Sequence, residues 1–159
     1  MRKPPIHTIS HDAIKAWRIT AVLYEAILWI ITIVGLVLHF VIDFPIWIVW
    51  ILLAISVVST YFFVFLFPKL RWKRWRYEVF EQEIYIQHGI LIVSRTLIPM
   101  IRVQHVETEQ GPILKKFDLA SVSISTAATT HQIPALSNEV ASDLRDKISA
   151  LARVDEDDV

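Results

Sequence analysis

The sequence predicts an α+β membrane protein: a two-helix transmembrane hairpin, then a small antiparallel sheet closed by one C-terminal helix. Three observations carry this. Residues 19–42 and 45–67 are long apolar runs, separated by the break Asp43-Phe44-Pro45. Apart from the Tyr24 phenol, the first run holds only Glu25 and His39 as ionisable groups, and the second holds no charge. From Tyr77 onward the apolar period falls to two, as in half-buried strands. Near the C-terminus it changes again, to the steps of four, four and three that mark an amphipathic helix.

A helix rises about 1.5 Å per residue, so either run can cross a hydrocarbon core of about 30 Å with some tilt. Lipid offers backbone groups no hydrogen-bond partners, and adjacent runs of this kind read as a helical hairpin. The competing reading, two buried helices of a soluble core, leaves too little polar surface. A hydrophobic fraction of 54% and a mean hydropathy of +0.47 agree with the membrane reading. The first run is too long for the apolar region of a signal peptide and lacks a small-residue cleavage site, so it is expected to be retained. Cysteine is absent, which removes disulfide and thiolate chemistry.

Residues 1–18 read as a cytoplasmic, solvated arm, basic through Arg2, Lys3, Lys15 and Arg18 against Asp12. Ser10 is placed to cap a short helix leading into the membrane. His7 and His11 stand four apart, but no further ligand cluster accompanies them, so no metal is expected.

The segment 68–76 is a basic-aromatic collar with five bases and no acid: Lys69, Arg71, Lys73, Arg74 and Arg76. Both flanks of the hairpin are therefore basic, while its turn carries only Asp43. The positive-inside rule then puts both termini in the cytoplasm. Trp17, Trp72 and Trp75 fall near the inner interface, and Trp47 and Trp50 near the outer one. Trp29 does not fit this belt and is expected to pack between helices. Arg71, Trp72, Lys73, Arg74, Trp75 and Arg76 are the candidate membrane-surface contacts.

Glu25 is the costliest residue of the chain, since a carboxylate in a bilayer is unfavourable by a few kcal/mol. His39 follows 14 positions later, on roughly the same face. Together they are candidate contacts for a partner helix; the alternative is that each snorkels to its own interface.

Strands are expected at 76–80, 83–87, 90–98 and 102–108, with a helical turn from Pro112. A further strand at 119–126 alternates Ser121, Ser123 and Ser125 against Val122 and Ile124, and a short edge strand covers 131–134. Ser137 caps the last helix, whose apolar stripe is Val140, Leu144, Ile148 and Leu151. The domain thus spans 77–153, and 154–159 is an acidic tail.

This order resembles the YdbS-like family of bacterial membrane proteins, which carry a bacterial pleckstrin-homology (PH) domain after two transmembrane helices. The supporting stretches are Arg74 to Tyr77, Gln87 to Leu91, Ile98 to Val106, Gln110 to Leu114 and Leu119 to Val122. Their order and spacing, not any single motif, carry the likeness. The resemblance implies a PH-like split antiparallel barrel or sheet with a C-terminal capping helix, on the cytoplasmic side of a bacterial plasma membrane. It also implies a larger sister protein with PH-type domains as a partner. It implies no particular activity, because the fold serves many.

No catalytic constellation emerges. There is no Gly-rich phosphate loop, and no serine sits in a nucleophile elbow. His88, His105 and His131 with the three serines read as surface-facing alternation. Residues 77–159 hold 13 acids against 7 bases, which repels a polyanion and excludes nucleic acid. The turn Phe80-Glu81-Gln82-Glu83 has the wrong charge for phosphoinositides. The expectation is a non-enzymatic, cofactor-free, membrane-anchored binding module, a subunit or adaptor of a cell-envelope complex with a membrane protein or a second copy as partner. The alternative is a small transport or efflux component in which an oligomer lines a polar path with Glu25 and His39.

Overall fold

The structure, a computed structural model, describes residues 3–157, with side chains as far as Arg153. It divides into two compact units, Ile14–Lys69 and the combination of Met1–Ala13 with Leu70–Val159.

The first unit is the hairpin. Helix α1 runs Ala13–Ile42, and α2 runs Ile46–Thr60. A π turn, Tyr61–Leu66, joins α2 to α3, Phe67–Arg74, making one 29-residue helix. Both helices are long and apolar enough to cross a membrane, and their outward faces expose large apolar side chains such as Phe40 and Val41. The π turn has a local cause. Pro68 lacks an N–H, and its ring would clash with the carbonyl four residues back in a regular helix. The wider turn before it, in which the Phe67 N–H bonds Phe62 O, accommodates the ring. The helix therefore continues through the first part of the collar. At the hairpin tip Asp43 adopts φ 53, a left-handed conformation that aspartate tolerates.

The second unit is built on two antiparallel sheets that do not close into a barrel. The first has the order β1 (His7–Thr8), β2 (Arg76–Val79), β3 (Glu83–His88), β4 (Ser94–Pro99). The second has the order β5 (Val103–Glu109), β6 (Leu119–Thr126), β7 (Thr130–Ser137). A 3₁₀ turn at Met100–Arg102 links the sheets, and the short helix α4, Pro112–Lys116, precedes β6. Helix α5, Asn138–Asp157, begins directly after Ser137 and packs on β5, β6 and the 3₁₀ turn. Ile84, Met100, Val122, Ile133 and Ile148 form the fully buried core.

Several expectations are corrected. The N-terminal arm is not solvated throughout. His7 pairs with Tyr77 and Thr8 with Arg76, the Ser10 N–H donates to the Ala135 carbonyl at 3.2 Å, and Ile9 is buried. This segment therefore bonds to an edge of each sheet. Ser10 does cap locally, accepting the Asp12 N–H on Oγ at 3.3 Å. The third strand starts at Ser94 because residues 89–93 form a turn at Gly89, φ +125. The last strand runs to Ser137. Ser121 and Ser123 are buried, because β6 is the central strand of its sheet and is covered on both faces. On α5 the inward stripe is Ala141, Leu144 and Ile148; Val140 is 43% exposed. The acidic tail lies at the limit of the structure: the backbone of α5 continues to Asp157, and the rest lies outside the described residues.

Candidate functional site

The hairpin holds a polar seam. Glu25, Trp29, Thr32 and Gly35, at steps of four, three and three, fall on one face of α1. At Gly35 the facing helix lies at ordinary packing distance: a Cβ there would be 3.5 Å from Leu52 Cδ1 and 3.9 Å from Val49 Cγ2. Next along the seam, Thr32 Oγ1 and Ser56 Oγ lie 2.9 Å apart, both buried. Each also lies near the carbonyl one turn back, Leu28 and Leu52. Each hydroxyl has a single proton, so one donates across the helices while the other donates to its own helix. Further on, Trp29 Nε1 donates to Thr60 Oγ1 at 3.0 Å, and Thr60 donates to Glu25 Oε2 at 3.3 Å. Ser59 Oγ donates to the same carboxylate oxygen at 2.9 Å.

Glu25 thus has partners inside the hairpin, which the sequence reading did not give it. Two hydroxyls from the facing helix and a relayed indole N–H satisfy it, lowering the cost of a carboxyl group at membrane depth. Ser56, Ser59 and Thr60 are the residues that reading missed. They stand out only once the second run is inspected for small hydroxyls rather than charges. Trp29 lies between the helices as expected. His39 joins none of this: its Nδ1 donates to the Phe44 carbonyl at 2.7 Å and closes the turn.

In the second unit a cleft of about 430 Å³ opens between the end of β3 and the first half of β7. Ile86, His88, Gly89 and Ile90 line one side, and Thr130, His131, Gln132 and Pro134 the other; Arg71 and Trp75 complete it. Trp75 is 6% exposed and lies against His88, ring centroids 5.5 Å apart. Its side chain is taken up by the domain. Trp72 is half-buried, with Nε1 donating to the Ile9 carbonyl at 3.2 Å and its ring edge-on to His11. Lys73 and Arg74 remain exposed. Beside the collar Tyr77 stacks under His7, and burial pushes its phenol above the ordinary range.

The cleft combines one guanidinium, two imidazoles, an amide and a hydroxyl around an apolar floor. It supplies no nucleophile held by a base: Ser121 Oγ instead accepts the Ala135 N–H, and His105 is exposed beside Glu107. Among the described residues no cluster of three metal-ligating groups occurs. Because β7 is an edge strand, the cleft has one wall of backbone that pairs with β6 alone among the described strands. A second, wider opening lies at the β2–β3 turn, where Glu81 and Glu83 face Lys147. That turn offers no basic cradle for a phosphorylated headgroup.

Two apolar helices, two open antiparallel sheets and a closing C-terminal helix define a membrane-associated PH-like module, and the chain belongs to the bacterial PH domain family, whose model matches residues 19–152. The match begins within α1, so it takes in the hairpin together with the domain. Over 159 residues, 100% of both chains, the protein is 51% identical to the UPF0699 transmembrane protein YdbS of Bacillus subtilis (strain 168). No solved structure matches it. The protein is a membrane protein.

Proposed function

We propose that the chain is a non-enzymatic, membrane-anchored binding module, a subunit or adaptor of a cell-envelope membrane complex, with both termini in the cytoplasm. The carrying observation is the cleft beside β7. An extended protein segment that pairs with the edge from Thr130 to Pro134 places alternate side chains into it, the mode by which open sheets take up strands. Arg71, His88 and His131 favour a segment bearing a carboxylate. The basic flanks of the hairpin support the orientation, and the exposed Lys73 and Arg74 fit an anionic leaflet at about 1 kcal/mol per base. The partner is another membrane protein or a second copy of this chain.

Glu25 and His39 are both engaged within the hairpin, which favours the binding module over the transport reading. Affinity purification from native membranes tests the proposal. Wild type is expected to retain a partner that a Thr130→Trp variant, with its cleft filled, loses. Equal recovery by both, or no partner with either, contradicts it. Reconstituted wild type and Glu25→Gln should be equally silent in an ion-flux assay.

A further inference from the structure

The β3–β4 hairpin ends in the turn Gly89 to Val93, which carries the most exposed large apolar side chains among the described residues of its unit: Leu91 is 88% exposed and Ile92 84%. The turn is built and not slack. Gly89 has φ +125, and a Cβ there would come within 1.9 Å of the Ile92 carbonyl oxygen. The backbone folds back on itself at that point, and only glycine permits it. Adjacent exposed aliphatics on a fixed tip mark a contact surface, not scattered surface polymorphism.

The register says which end of the sheet this is. The chain enters β2 at Arg76, two residues after the helix Ile46–Arg74 ends. Arg76 pairs with Gln87, and Gln87 with Arg95. The Gly89–Val93 turn therefore lies at the end where the chain arrives from its second apolar helix. Arg71 and Gly89 also line one cleft. The opposite end of the sheet carries the acidic turn at Glu81 and Glu83. Behind the tip, Arg95 is held by its Nε–H donating to Gln87 Oε1 at 3.1 Å. The tip end thus joins two exposed aliphatics to Arg76 and Arg95, whereas the opposite end sets Glu81 and Glu83 beside Lys147.

We infer that Leu91 and Ile92 insert into the interfacial layer of the bilayer that the two helices cross. They form an attachment of the domain to lipid in addition to the two helices. Arg76 and Arg95 then lie level with anionic headgroups while the aliphatic tip enters the acyl boundary. Lipid is the favoured occupant because the rim is basic and the tip stands at the chain's point of arrival from the membrane. The inference rests on the helices being embedded and not on the proposed partner, so it survives or fails separately from the adaptor reading.

The absence of native cysteine allows single labels without background. Leu91→Cys, Ile92→Cys and Glu81→Cys would each carry an environment-sensitive fluorophore, in the full chain reconstituted into phosphatidylcholine–phosphatidylglycerol vesicles. All three positions are exposed, so the fold tolerates the change. Labels at 91 and 92 are expected to shift to the blue and to be quenched severalfold more than the label at 81 by a nitroxide near the top of the acyl chain. Emission at 91 and 92 as aqueous as at 81 overturns the inference. So does a blue shift without lipid quenching, which means that protein, not lipid, covers the tip.

Discussion

Ser59 donates its hydroxyl to Glu25 across the hairpin at 2.9 Å, from a helix whose sequence offers no charge to answer a carboxylate. The relationship changes what Glu25 means. An intramembrane acid with no partner in its own chain points outward to another subunit, whereas one met by Ser59, Thr60 and Trp29 points inward and locks the hairpin. Interhelical hydrogen bonds of this kind are worth about 0.6 kcal/mol on average and about 1.7 at most. Their value here lies in register as much as in stability.

A mutant cycle follows. Ser59→Ala with Thr60→Val strips the carboxyl group of its partners and should lower the melting temperature in detergent. Adding Glu25→Leu should restore most of the loss, since the unsatisfied group is then gone. Differential scanning of wild type and the two variants checks it, and failure of Glu25→Leu to rescue would place the partner of Glu25 elsewhere.

The N-terminal segment supplies a second prediction. Ile9 is 2% exposed, and Ile6, three residues earlier, is 72% exposed. Ile9→Ala should destabilise the second unit by about 2–5 kcal/mol, whereas Ile6→Ala should stay within about 0.5 kcal/mol. Equal, small effects in denaturant titration would mean that the arm does not belong to the core.

Helix α5 gives a matched pair on one element. Ile148→Ala, at a fully buried position, should cost about 2–5 kcal/mol, and Val140→Ala, at an exposed one, less than about 0.5 kcal/mol. Reversal of that order would rotate the packed face of the helix.

Much of this architecture was legible in the sequence, and the misses share a cause. The apolar runs, the strand alternation and the stripe through Leu144 and Ile148 are local patterns, and local patterns survive in one dimension. What failed needed a neighbour from far away in the chain. His7 and Thr8 read as a free arm because their partners Tyr77 and Arg76 lie about seventy residues on. Ser121 and Ser123 read as surface because alternation cannot reveal that β6 is central and covered on both faces. Trp75 read as an interfacial anchor by its place after a helix, but His88 draws it inside. At the seam, Glu25 was visible as a cost, and the hydroxyls that answer it were not. The cleft has no signature at all, because its two walls come from β3 and β7.

Topology is open to direct labelling. With both termini inside, Ile42→Cys beside the Asp43 turn should react with an impermeant thiol reagent in intact cells, and Asp143→Cys only after the membrane is opened. The opposite pattern would invert the assignment.

Whether the domain takes up a protein segment beside β7 can be read by photocrosslinking from position 132 in native membranes. Gln132 is exposed and lines the cleft, so a photoreactive residue there reports what occupies it. A discrete crosslinked band is expected, and it should disappear when Thr130→Trp fills the cleft. No band from position 132 in wild type, or one that persists unchanged in the filled variant, would contradict it.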